Sequence, residues 1–272
     1  MQPKLFFVLG APKSGTTWLQ HILNAHPNVS CRGEGMFHKY ADLLVQIRET
    51  HNQQLAQREK LHGVGFPPMS RHEVSAMVRV FIEMRMRAHP TPKTDLQWIG
   101  EKDPDHAHWS RGLMPLFRTS SYIHIIRDPR DRAVSLHFHM RHRLHEGTGY
   151  PFQEHVLHDA QTWAKTVSSV RANAREFGVR YHELRYEDLL DRPNETTTAV
   201  FNFLGVDTTP VQACIEAASF EKLSGGRKPG QEDLASFYRK GVQGDWRNHM
   251  DAEQERAFIA ATGGLMAELG YA

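Results

Sequence analysis

The sequence predicts an α/β fold, a single-domain parallel sheet flanked by helices over residues 1–272. Three observations lead there. Short apolar runs alternate with helical patterns along the chain; the first run passes straight into a glycine-bearing turn; and 272 residues suffice to bury a sizeable core. Taken in order, Leu5–Leu9 reads as the first strand and Gly15–Ala25 as the first helix. Arg71–Ala88 reads as a helix and Gln97–Gly100 as a strand. Tyr122–Ile126 is a strand that ends at Asp128-Pro129, where aspartate caps the next helix and proline takes its first position. Phe152–Phe177 is helical and Val179–Leu184 is a strand. Helices at Glu195–Leu204, Pro210–Ala218 and Ala252–Leu269 complete the pattern. Asn52–Ser70 and Leu223–Asp233 read as loops, placed as lids at the carboxyl ends of the strands.

The 33 basic and 31 acidic residues give a net charge of +2. That balance predicts neither a nucleic-acid partner nor an anionic-membrane partner, so any basic function is local. Leu5–Leu9 is too short for a membrane span and lacks the features of a signal peptide. Together with only two cysteines, Cys31 and Cys214, this predicts a cytoplasmic protein with core thiols. Among the 18 histidines, those in HFHMRHRLH offer only i, i+3 neighbours and no metal-binding pair, so a solvated basic helix is expected and no metal.

The stretch LFFVLGAPKSGTTWL, residues 5–19, joins an apolar strand to a helix through a turn whose backbone N–H groups and helix dipole suit an anion. In a nucleotide-hydrolysing P-loop a lysine follows the second glycine; here Thr16 does, and the cation has moved to Lys13. From the turn, Lys13 can neutralise charge as a bound phosphoanhydride breaks. A small-molecule or nucleoside kinase, the first alternative, would need the missing lysine.

PKSGTTW, residues 12–18, resembles the 5′-phosphosulfate loop of sulfotransferases that use 3′-phosphoadenosine 5′-phosphosulfate (PAPS). IIRDPRDRAVS, residues 125–135, is similar to that family's 3′-phosphate segment, and Arg127 at a strand end with Ser135 about two turns into a helix can converge on one phosphate. RYEDLLDRP, ASFEKL and RKGVQGDWRN resemble three further segments. The resemblance implies a P-loop-like sulfotransferase fold, PAPS as donor and adenosine 3′,5′-bisphosphate (PAP) as product. It implies donor contacts from Lys13, Ser14, Gly15, Thr16, Thr17, Trp18, Arg127, Ser135, Tyr186, Phe220, Arg239, Lys240 and Gly241, with Trp18 and Phe220 on either side of adenine. Taken singly, Tyr186 and Phe220 read as core aromatics.

The acceptor-side base departs from the cytosolic pattern, since the K-T-H histidine position is Pro104 in GEKDPDHAHW. LNAHPNVSCRGEGMF, residues 23–37, resembles instead the tyrosylprotein sulfotransferases and some bacterial enzymes, which implies Glu34 as base and Lys102 as stabiliser of the transferring group. His106 and His108 remain alternative bases. The expected acceptor is a hydroxyl, less readily an amine, of a small molecule, lipid, sugar or natural product. Its pocket is expected from residues 37–88 and 141–152. A catalytically inactive nucleotide-binding module is the second alternative. The cytosolic dimerisation segment has no counterpart in RNHMDAEQER, which leaves the oligomeric state open.

Overall fold

A computed structural model describes residues 2–63, 65–88, 90–143 and 152–271. Five parallel strands, β1 (Lys4–Leu9), β2 (Val29–Gly33), β3 (Trp98–Lys102), β4 (Ser121–Ile126) and β5 (Arg180–Arg185), form one sheet in the order β2-β3-β1-β4-β5. β4 is buried at every residue and β1 at all but its first, which accounts for their unbroken apolar runs. Side chains alternate across the sheet. Phe6 and Val8 pack with helix α1 (Thr16–Ala25) and with Phe201 and Val211, whereas Leu5, Phe7 and Leu9 face Val78, Leu113 and Val170.

On the second face lie α2 (Phe37–His62), α3 (Arg71–Arg87), the short α4 (Asp105–His108) and α5 (Ser110–Leu116), and α7 (Phe152–Phe177), which follows α6 (Pro129–Arg143). A third cluster joins α6 and α7 to the carboxyl-terminal segment through Trp163, Trp246 and Phe258. The first face is covered by α9 (Pro193–Leu204) and α10 (Val211–Ala217), with the short α8 (Tyr186–Asp191) and α11 (Phe220–Leu223) at the sheet's end. The expected cap at Asp128-Pro129 is present: Asp128 Oδ1 accepts the Arg130 backbone N–H at 2.9 Å.

Three expectations change. Residues 52–62 belong to α2, not to a loop. That helix buries only Phe37 and Ala41 among its 26 residues, so its sequence lacks the apolar stripe by which a helix is recognised. The helix expected over 252–269 divides into α12 (Ala252–Ala261) and α13 (Leu265–Glu268), because Gly263 and Gly264 both take positive φ, 61° and 88°. The first part of HFHMRHRLH is not fully solvated: His137, Phe138 and His139 are half-buried on α6, Phe138 packs into the third cluster, and Arg141 is exposed. Residues 144–151, including His145, lie outside the described residues.

Candidate active site

The strand order reverses at β1, whose neighbours are β3 and β4, and ligands in such sheets sit beyond the strand carboxyl ends at that crevice. A cleft of about 420 Å³ opens there. It draws Lys13 from the turn after β1, Glu34 from beyond β2, Asp103 from beyond β3, Arg127 from beyond β4 and Tyr186 from beyond β5. Further wall comes from the start of α1, from Ser135 and His139 on α6, and from Phe220 and residues 237–242.

The turn after β1 is tightly determined. Gly15 caps α1 with φ 92°, and a Cβ there would come within 2.5 Å of the Tyr186 ring. Lys13 itself has φ 71°, a strained conformation for a side-chain-bearing residue. Arg127 holds it: one guanidinium nitrogen donates to the Lys13 carbonyl at 3.2 Å and another to the Val242 carbonyl at 3.1 Å, while the group lies 4.4 Å above the Tyr186 ring. No ion pair joins Arg127 to Asp128 or Asp131 among the described residues.

The Lys13 ammonium stands 4.3 Å from the centre of the Phe237 ring. Burial, and then the neighbouring cations Arg127, Arg239 and Lys102, lower its pKa to about 8 against a smaller opposing pull from Glu34. Four cations, Lys13, Arg127, Arg239 and Lys240, line the cleft together with Ser135. The buried Ser14 Oγ and Arg127 Nε have no hydrogen-bond partner among the described residues, and such orphaned donors fit oxygen-rich anionic ligands.

Trp18, Tyr186 and Phe220 line the same cleft, with Trp18 edge-on to Tyr186 at 5.5 Å and anchored by its indole N–H to the Ala218 carbonyl. Within RYEDLLDRP, Arg185 ends β5 and Tyr186 begins α8. Gly241 has φ 65°, and a Cβ there would meet the Phe220 ring at 2.4 Å, so glycine is what lets the ring lie flat against the backbone.

Beyond β2 and at the end of β3, Lys102 Nζ donates to Glu34 Oε1, and both charges act on Lys13. Lys102 itself does not reach the cleft surface. Of the sequence-derived donor contacts, Ser14 also stays off the surface, and Gly15, Thr16, Thr17, Trp18, Arg127, Ser135, Tyr186, Phe220, Arg239, Lys240 and Gly241 come together on it with Lys13. His106 is fully buried, paired with Glu101 beneath the sheet's end, and His108 is hydrogen-bonded to Thr166; neither lines the cleft. Of the segments expected to build the acceptor pocket, residues 37–88 contribute no lining side chain among those described.

Sequence reasoning missed Asp103, His139, Phe237 and Tyr238, which also face the cleft. The aromatic pair directly before Arg239-Lys240 was the available signal for the last two. A span without regular secondary structure, residues 224–244, carries them over the cleft, and Arg227 organises it. That one guanidinium donates to the Gln231, Tyr238 and Arg239 carbonyls and to Ser236 Oγ.

Comparison with known proteins agrees with this geometry. Residues 3–210 match the sequence profile of the Sulfotransferase family. Protein-tyrosine sulfotransferase 2 of Gallus gallus is 26% identical over 98% of this chain and 69% of its own length. Sulfotransferase 1C2 of Homo sapiens is 23% identical over 94% and 81%, and nodulation protein NoeE of Sinorhizobium fredii 25% over 99% and 66%. Mouse sulfotransferase SULT7A1 complexed with PAP superposes with a TM-score of 0.57 at 19% identity, covering 98% of this chain and 86% of its own. The sulfotransferase domain of the Synechococcus PCC 7002 olefin synthase gives 0.57 at 20%, covering 97% and 95%. Matched by the family profile over most of its length and by the fold along nearly all of it, the protein belongs to the sulfotransferase family of enzymes.

Proposed function

We propose that the protein, acting as one domain over residues 1–272, moves a sulfuryl group from PAPS to the hydroxyl of a small-molecule, lipid, sugar or natural-product acceptor. The observation that carries this reading is the cleft's charge: Lys13, Arg127, Arg239 and Lys240 line it together with Glu34, whose carboxylate acts on the Lys13 ammonium. Arg127, Ser135, Arg239, Lys240 and the Gly241 backbone hold the 3′-phosphate; Trp18 and Phe220 hold adenine with Tyr186 beside it; Ser14, Gly15, Thr16 and Thr17 cradle the 5′-phosphosulfate. A relative crystallised with PAP supports the donor.

In the transfer, Glu34 takes the proton of the acceptor hydroxyl as its oxygen forms the new S–O bond, and Lys13 neutralises the 5′-phosphate oxygen as the old S–O bond breaks. Lys102 holds Glu34 in place from the end of β3 and adds positive charge beside the transferring group. A cleft of about 420 Å³ suits a donor end with a small acceptor. The unpaired buried thiols Cys31 and Cys214 fit a cytoplasmic setting.

Calorimetric titration with PAP, ATP and 5′-AMP in the presence of a chelator tests the donor. Tight binding of PAP alone is expected, and magnesium-dependent preference for ATP would overturn the reading in favour of a kinase. Transfer from PAPS to a panel of hydroxyl compounds then tests the acceptor class.

A further inference from the structure

Arg239 and Lys240 do not reach the cleft unsupported. Behind them lies Asp245, with a side chain only 2% exposed, which accepts from both: Lys240 Nζ at 2.6 Å on Oδ1, and the Arg239 guanidinium on Oδ2. Asn248 donates to Oδ1 at 3.1 Å, and the His249 ring stands 3.5 Å from Oδ2. Burial opposes ionisation of this carboxyl, yet the bonds from Lys240, Arg239 and Asn248 hold its pKa well below the usual carboxylate range. Asp245 is absent from the cleft wall, whereas both cations are on it.

Asp245 is itself fixed from a distant part of the chain. Asp131, 2% exposed on α6, accepts the Gly244 N–H at 2.6 Å on one oxygen and the Trp246 N–H at 2.9 Å on the other. These two backbone groups flank Asp245. Asp131 also stands one helical turn from both Arg127 and Ser135 in sequence, so it ties the segment after β4 to the segment carrying Arg239 and Lys240.

We propose that Asp245 is a positioning residue for recognition of the donor's 3′-phosphate, directing Arg239 and Lys240 into the cleft, and that Asp131 acts as its anchor. This rests on the PAPS reading above. Two physical effects oppose each other here. A carboxylate near a phosphate dianion repels it, but two cations in direct contact already neutralise this one. Holding two long, flexible side chains in one orientation saves the ordering entropy that binding would otherwise cost. The second effect dominates, so removing the carboxylate weakens binding of the 3′-phosphate.

The test is Asp245→Asn, which preserves shape and removes charge, with titration of PAP and of 5′-AMP against parent and variant. PAP affinity is expected to fall about 10- to 100-fold, the range for losing charge-assisted hydrogen bonds, with 5′-AMP affinity unchanged within about twofold. At saturating donor, kcat is retained while KM for PAPS rises. Asp131→Asn gives the same selective loss, more weakly. In a Lys240→Ala background the Asp245→Asn cost shrinks at least about threefold, because part of its action passes through Lys240. Unchanged or tighter PAP binding, equal loss for both nucleotides, or full additivity with Lys240→Ala would each overturn the proposal. A parent protein that does not discriminate PAP from 5′-AMP would instead remove the PAPS reading beneath it.

Discussion

Lys102 Nζ and Glu34 Oε1 stand 2.5 Å apart, the lysine side chain 4% exposed and the glutamate 49% exposed. A buried cation at the end of β3 thus fixes a carboxylate that juts from the end of β2 into the cleft.

If Glu34 takes the acceptor's proton, Glu34→Gln lowers kcat by about 10² to 10⁴, the range for a lost general base, and leaves PAP affinity within about threefold of the parent. Steady-state rates and calorimetry on the same preparation check this. Full activity in the variant would remove Glu34 from the chemistry.

Lys13 acts as a cation, and its pKa of about 8 in the free protein sets a pH limit. The protonated fraction falls as pH rises through that value, so kcat/KM for the donor declines on the alkaline side with a midpoint near 8. Bound phosphate restores proton affinity, which moves the decline in kcat to higher pH. Lys13→Arg, always charged, abolishes the alkaline decline in kcat/KM, and Lys13→Ala lowers kcat at least about 10²-fold.

Arg127 both lines the cleft and carries the Lys13 and Val242 carbonyls. Arg127→Ala is therefore expected to weaken PAP by about 10- to 100-fold, erase most discrimination against 5′-AMP, and lower kcat as well, because the turn bearing Lys13 loses its tether. A change confined to KM would show that the tether is irrelevant to transfer.

Gly241→Ala forces a Cβ against the Phe220 ring in a backbone conformation that disfavours it. The displaced ring forfeits base stacking of about 1–3 kcal/mol, so PAP affinity drops by roughly 5- to 100-fold. Phe220→Ala reproduces the loss, and the double variant loses little more than either alone.

The parallel sheet was legible because β1 and β4 are buried on both faces and their apolar runs are continuous. The cations of the cleft were legible because each lies in a contiguous motif at a strand end or in the RKG segment. α2 was not, since only two of its residues are buried and its surface needs no periodic stripe. Phe237 and Asp131 escaped for a different reason. Their roles arise from contacts across 100 residues or more of sequence, Lys13 with Phe237 and Asp131 with the Gly244–Trp246 backbone, and spacing along the chain does not encode such pairings. Asp245 lies inside RKGVQGDWRN beside the cations it holds, but its burial is not written in that spacing. His106 and His108 were ambiguous because spacing does not show that His106 is buried against Glu101 and that His108 stands exposed beside Thr166, both off the cleft.

The span over the cleft contains no strand or helix and is held by a few scattered bonds, four of them from the Arg227 guanidinium to residues 231–239 and others such as Gly230 N–H to the Lys240 carbonyl at 2.8 Å. Such a segment opens at a much smaller free energy than the sheet beneath it. Heat inactivation of this enzyme is then a local melting event: turnover fails while the sheet's amide protons remain protected from exchange, and cooling restores it without refolding.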